Sequence, residues 1–193
     1  MRLEDVLRKG CERYARKLPT WVITVEKNDP YLARHYVFQR DTVQQAIKKF
    51  VGRLFPVKGE GVEQWFARVL DKSLFVHEFL RGDSDSEYHN HPWEFSFSLI
   101  LAGGYREDRL VVKDGDYRVV SRTLRPGMIN VIRKDDFHRV SLLDGKTTWT
   151  LFVAGRRTGE EWGFLDLETR QFLPWPEHVR RRARSAASYS NSA

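Results

Sequence analysis

The rhythm of apolar and polar positions changes near residue 73. Before it, apolar residues recur at helical spacing. Leu3, Val6, Leu7, Cys11, Tyr14 and Leu18 fall on one face of a helix over 3–18. Val43, Ala46, Ile47, Phe50, Val51 and Leu54 mark a second helix, which Asp41 can cap with Gln44 three residues on. Val62, Trp65, Phe66, Val69 and Leu70 suggest a third, short one. Between the first two, WVITVEK and HYVFQ read as short strands. Residues 1–72 are thus expected to form an N-terminal α+β layer packed on the rest of the chain.

From residue 73 short β-forming segments alternate with turn signals. SLFVHEFL and FSFSLILA lead to Gly103-Gly104, and YREDRLVV leads to Asp114-Gly115. YRVVSRTL, Pro126-Gly127, MINVIR, HRVSLL, Asp144-Gly145, TTWTLFVAG and WGFLDLE continue the series. Strands at such spacing, with Asp-Gly hairpin turns, predict a mainly β sandwich or small barrel over 73–176. No solenoid-type repeat occurs. Residues 177–193 read as a basic, frayed tail.

Composition narrows this picture. At 193 residues the chain suits one domain with appendages. Its 12 Phe, 7 Tyr and 6 Trp supply a real core, which argues against global disorder. There is no apolar run long enough for a bilayer and no signal-peptide stretch at MRLEDVLRKG, so a soluble cytoplasmic protein is expected. The single cysteine, Cys11, sits on the apolar side of its helix and reads as a packing residue. Of the +7 net charge, Arg180, Arg181, Arg182 and Arg184 carry four, so any nucleic-acid contact would run through the tail alone.

The chemistry lies in the histidines. His89 and His91 are one residue apart, and on a strand such a pair projects from one face. His-x-His by itself is weak evidence for a metal. In GMINVIRKDDFHRV, however, a glycine opens a strand, a charged turn comes next, and His138 begins the next strand. A hairpin so built delivers a third imidazole. His35, His77 and His178 have no partner at ligand spacing and read as ordinary histidines.

At these residues the chain resembles the cupin superfamily. His89, His91 and Gly103 match the first cupin motif, with Ser96 where the family has a glutamate. Gly127 and His138 match the spacing of the second, while Arg133, Asp135 and Leu142 replace its proline, glycine and asparagine. The wider stretch YHNHPWEFSFSLILAGGYRE, with FHRV and WTLFVAGRR, is similar to a group of uncharacterised cupins from bacteria and phages. The resemblance implies a double-stranded β-helix, or jelly-roll, barrel. It also implies one divalent metal on His89, His91 and His138. Without the glutamate, the set is similar to that of thiol and diketone dioxygenases, so Fe(II) is favoured, with Zn, Ni or Mn as alternatives. Glu94 and Glu107 are the two candidates for a carboxylate ligand from elsewhere.

Ser96, Tyr105, Arg106 and Arg133 are candidates for substrate binding, and Arg156 and Arg157 also stand near the expected mouth. Arginine forks suit carboxylates or phosphates, which points to a small, anionic organic substrate. The resemblance implies three functions: an iron-dependent oxygenase, a non-catalytic metal- or ligand-binding cupin with a regulatory role, and a sugar isomerase or epimerase. A homodimer is a further expectation.

Overall fold

The computed structural model describes residues 2–26, 29–38, 73–83, 87–167 and 169–181. The expected helices over 41–54 and 62–70 lie outside the described residues.

The chain opens with helix α1 (Leu3–Ala15), whose first turn carries Glu4 and Asp5 and whose last turn carries Arg13, each at the end the helix dipole favours. Two strands come next, β1 (Thr20–Glu26) and β2 (Asp29–Phe38). The barrel strands are β3 (Ser73–Phe79), β4 (Glu87–His89), β5 (Phe95–Ala102), β6 (Tyr105–Lys113) and β7 (Asp116–Leu124). They continue as β8 (Ile129–Arg133), β9 (His138–Leu142) and β10 (Thr148–Ala154). β11 (Gly163–Asp166) and β12 (Phe172–Pro174) close the series, and residues 175–181 are helical. Among the described residues no helix is long and apolar enough to cross a membrane.

The strands pair antiparallel in two six-stranded sheets, ordered β1-β2-β3-β10-β5-β8 and β12-β11-β4-β9-β6-β7. The eight strands β3 to β10 thus divide as 3-10-5-8 and 4-9-6-7, the chain crossing between sheets at every step except the β6–β7 hairpin, and the protein is a jelly-roll barrel. β1 and β2 extend the first sheet, so the N-terminal layer joins the barrel by strand pairing as well as by packing.

Residue alternation fixes which side chains look inward. Along β5, Ser96, Ser98 and Ile100 are buried while Phe97 is exposed. Register then sets Leu32, Arg34 and Tyr36 of β2 opposite Phe79, His77 and Phe75 of β3 on the same face. On the other face of this sheet, α1 covers Val76, Ala102 and Trp149 with Ala15 and Cys11. At the β6–β7 hairpin, Asp114 and Gly115 both take positive φ (55° and 81°), as a two-residue turn requires.

Candidate metal centre

His89 ends β4 and pairs in register with His138, which begins β9, so the two rings stand side by side with centroids 4.8 Å apart. His91 lies beyond β4 rather than on it. Asn90 occupies the intervening edge: its N–H donates to the Gly163 carbonyl at 3.1 Å, and its Oδ1 accepts from the Gly163 N–H at 2.8 Å. The chain then turns at the buried Pro92, and His91 swings inward until its ring centroid is 5.1 Å from both other histidines. The spacing therefore brings the two rings together through a turn, not through strand alternation. One donor nitrogen from each of the three rings lies within 4.8 Å of the others, and Nε2 of His91 is 2.9 Å from Nε2 of His138.

Two of the rings have a carboxylate behind them. Glu107, fully buried on the inner face of β6, accepts from His138 Nδ1 at 2.8 Å. Because an ionised carboxylate cannot donate, His138 Nδ1 is the donor, which turns Nε2 toward the other two rings. Glu107 is itself fixed by Asn130 Nδ2 at 2.7 Å, Arg109 Nη2 at 3.1 Å and Arg122 Nε at 2.7 Å. Burial alone would raise this carboxyl; His138, Asn130 and Arg109 outweigh it and hold it well below the ordinary carboxylate range. Behind His89, Asp83 stands 3.9 Å from Nδ1. Asp83 accepts from the Tyr31 hydroxyl and from the Val140 N–H, each at 2.5 Å.

Burial pushes His89 down to about 4, opposed in part by Asp83. His91 falls well below its ordinary value, first through burial and then through the two neighbouring imidazoles. Both rings are therefore neutral near pH 7, the form in which histidine ligates a metal. The His91 ring also stacks on Trp93, centroids 5.5 Å apart. Three ring nitrogens within 4.8 Å of one another would close on one ion with small ring movements. The spacing, the neutral donors and the carboxylates behind them all fit a divalent ion.

The other sequence candidates separate into two groups. Ser96 and Tyr105 are inside. Ser96 is 1% exposed and its Oγ has no hydrogen-bond partner. Tyr105 is buried, and its hydroxyl accepts from Asn130 Nδ2 at 3.2 Å. Glu94, Arg106, Arg133 and Arg156 lie outside. The Glu94 side chain is 53% exposed and pairs with Arg156 at 3.7 Å. Arg106, on the outer face of β6, pairs with Asp108 at 3.0 Å. The exposed Arg133 gives its backbone N–H to Asp136. Glu107 is inside, but it holds the rear nitrogen of His138 rather than joining the three ring nitrogens that face one another.

The sequence did not single out Arg34, Asp83 or Asn130, and it passed over His77. His77 is 3% exposed, and its Nε2 accepts from Arg34 Nε at 3.1 Å. The available signal was parity: His77 alternates with Phe75 and Phe79, and Arg34 with Leu32 and Tyr36, on inward faces. Asp83 and Asn130 left no comparable trace.

The strand order and the three-histidine group fit the cupin superfamily. No protein-family model matches the chain, and no curated protein matches it. Solved structures similar in fold include iron(II) HppE in complex with substrate, at 12% identity over 72% of this chain and 57% of that one, TM-score 0.45. Vicilin from Corylus avellana (hazelnut) matches at 13% identity over 75% of this chain and 34% of its own, TM-score 0.46. Recombinant oxalate oxidase in complex with glycolate matches at 18% identity over 51% and 49%, TM-score 0.40. The chain spans little more than half of HppE and about a third of the vicilin. The fold rests on the strand order and the metal reading on the imidazoles, not on these likenesses.

Proposed function

We propose that the protein binds one divalent metal ion through His89, His91 and His138 and acts as an iron(II)-dependent oxygenase on a small organic anion. The observation that carries this reading is the convergence of three imidazoles, with carboxylates behind two of them and, among the described residues, none beside them. A ligand set of three neutral nitrogens leaves the ion its full charge and open positions for substrate. Ser96, inward and without a partner at the place where the resemblance expects a glutamate, supports a set lacking a fourth protein ligand. When bound, ferrous iron supplies the Lewis-acid and redox chemistry that dioxygen activation needs.

The chain's own residues do the positioning. Glu107 keeps the His138 proton on Nδ1, and Asp83 stands 3.9 Å from His89 Nδ1, where it acts on that ring through its charge rather than a hydrogen bond. Phe75, Phe152 and Trp93 wall the neighbouring space. They exclude water and favour an apolar substrate body.

The test is an oxygen electrode on iron(II)-reconstituted protein across small organic acids. Substrate-dependent uptake, absent in His91→Ala, supports the oxygenase. One iron per chain with no uptake for any acid would discard the oxygenase and leave a metal-binding cupin without turnover.

A further inference from the structure

A half-buried guanidinium stands beside the histidine group, and among the described residues no acid balances it. Arg34 projects from β2 into the barrel, its Cζ 4.9 Å from the Phe75 ring centroid and 5.8 Å from that of Trp93. Trp93 in turn stacks on His91. Among the described residues no carboxylate pairs with Arg34; its polar neighbours are the imidazole of His77 and the hydroxyl of Tyr36, both uncharged. The other inward charges are spoken for: Glu107 by Arg109 and Arg122, Asp83 by Tyr31 and the Val140 amide. A buried charge left without a partner is costly, and such a group implies an absent counter-ion.

Two further donors lie next to it. Arg34 Nε can only donate, so His77 Nε2 accepts and the His77 proton resides on Nδ1. That buried Nδ1–H has no hydrogen-bond partner. Thr150, fully buried and paired in register with His77, has an unpartnered hydroxyl. Unsatisfied buried polar atoms of this kind call for an explanation, and here two such residues lie beside the unbalanced guanidinium.

We propose that Arg34, His77 and Thr150 form a seat for the carboxylate of a small organic acid. With Nε tied to His77, the two Nη groups supply a fork, which matches a carboxylate in bidentate fashion. One guanidinium and neutral donors between aromatic walls balance a monoanion; a phosphate dianion would keep an uncompensated charge. The acid's other end then faces His91 across Trp93. Only this last clause rests on the metal reading, and the seat stands apart from it.

The test is calorimetry on the full chain with acetate, propionate and benzoate, each against its neutral amide, and with inorganic phosphate. The wild type is expected to prefer at least one carboxylate over its amide by tenfold or more. Arg34→Gln should lose that preference, Arg34→Lys should keep part of it, and Arg118→Gln, on the exposed surface, should keep all of it. Should Arg34→Gln fail to fold, the wild-type preference for acid over amide is an independent readout. No carboxylate binding, equal binding of acid and amide, tighter binding of phosphate, or a preference retained in folded Arg34→Gln would each overturn the seat. Metal content separates the two readings. His138→Ala should lose the metal yet keep the carboxylate preference, and Arg34→Gln should do the reverse.

Discussion

A histidine offers a metal one nitrogen only while its other nitrogen holds the proton. Glu107 secures this for His138, and Asp83 acts on His89 through its charge. Glu107→Gln and Asp83→Asn should each weaken metal affinity by about 10–100-fold, read by competition with a chelator. Glu94→Gln should leave stoichiometry and affinity unchanged, because that carboxylate is half exposed and faces Arg156. A fall in bound metal in the Glu94 variant would restore it as a ligand. At this scale the sequence was informative about the three histidines and uninformative about what holds them. His89, His91 and His138 carry a recognisable spacing. Glu107 meets His138 from 31 positions away, through the pairing of β6 with β9, and no local pattern encodes that meeting.

Among the elements, the strands that could be read were those with strong alternation. FSFSLILA coincides with β5, and the Asp-Gly turn between β6 and β7 takes the conformation its residues favour. β4 and β12, three residues each, are too short to show a period along the chain. Their positions depend on β11, which pairs with both. A Cβ added at Gly163 would lie 2.2 Å from the Leu173 carbonyl oxygen and 2.8 Å from Pro174 Cα, both backbone atoms that cannot swing aside. Gly163→Ala should therefore cost about 1–3 kcal/mol. At roughly 2–4 °C per kcal/mol for a chain of this size, calorimetry would register it. An unchanged melting temperature would mean that β12 is not held against β11. Trp149, 2% exposed between α1 and the first sheet, tests the helix in the same way. Trp149→Ala should cost about 3–5 kcal/mol.

At the scale of the whole molecule, the barrel's stability has an acid-sensitive part on the face of the second sheet opposite the histidines. Asp108 is buried on the outer face of the second sheet. It accepts from Ser121 at 2.5 Å, Arg139 at 3.1 Å and Arg106 at 3.0 Å. Burial would raise its carboxyl, but the Ser121 and Arg139 hydrogen bonds prevail and hold it below the ordinary value. A carboxylate depressed in the folded state stabilises fully above its unfolded value, about 3.9 for aspartate, and loses that contribution as pH falls through the folded value. Asp108→Asn should accordingly lower the urea midpoint more at pH 7 than at pH 3. An equal loss at both would show that the charge does not contribute. A mainly β sandwich or barrel was legible from the strands and turns along the chain, and the jelly roll followed from the cupin resemblance. The inward-facing Arg34 was not legible, because only the joining of β2 to β3 carries it into the barrel. The central claim remains the ion. Elemental analysis of protein reconstituted with ferrous iron, run beside His138→Ala, tests it most directly. Close to one equivalent per chain, lost in the variant, is the predicted result. No metal in the wild type, or full metal in the variant, would contradict it.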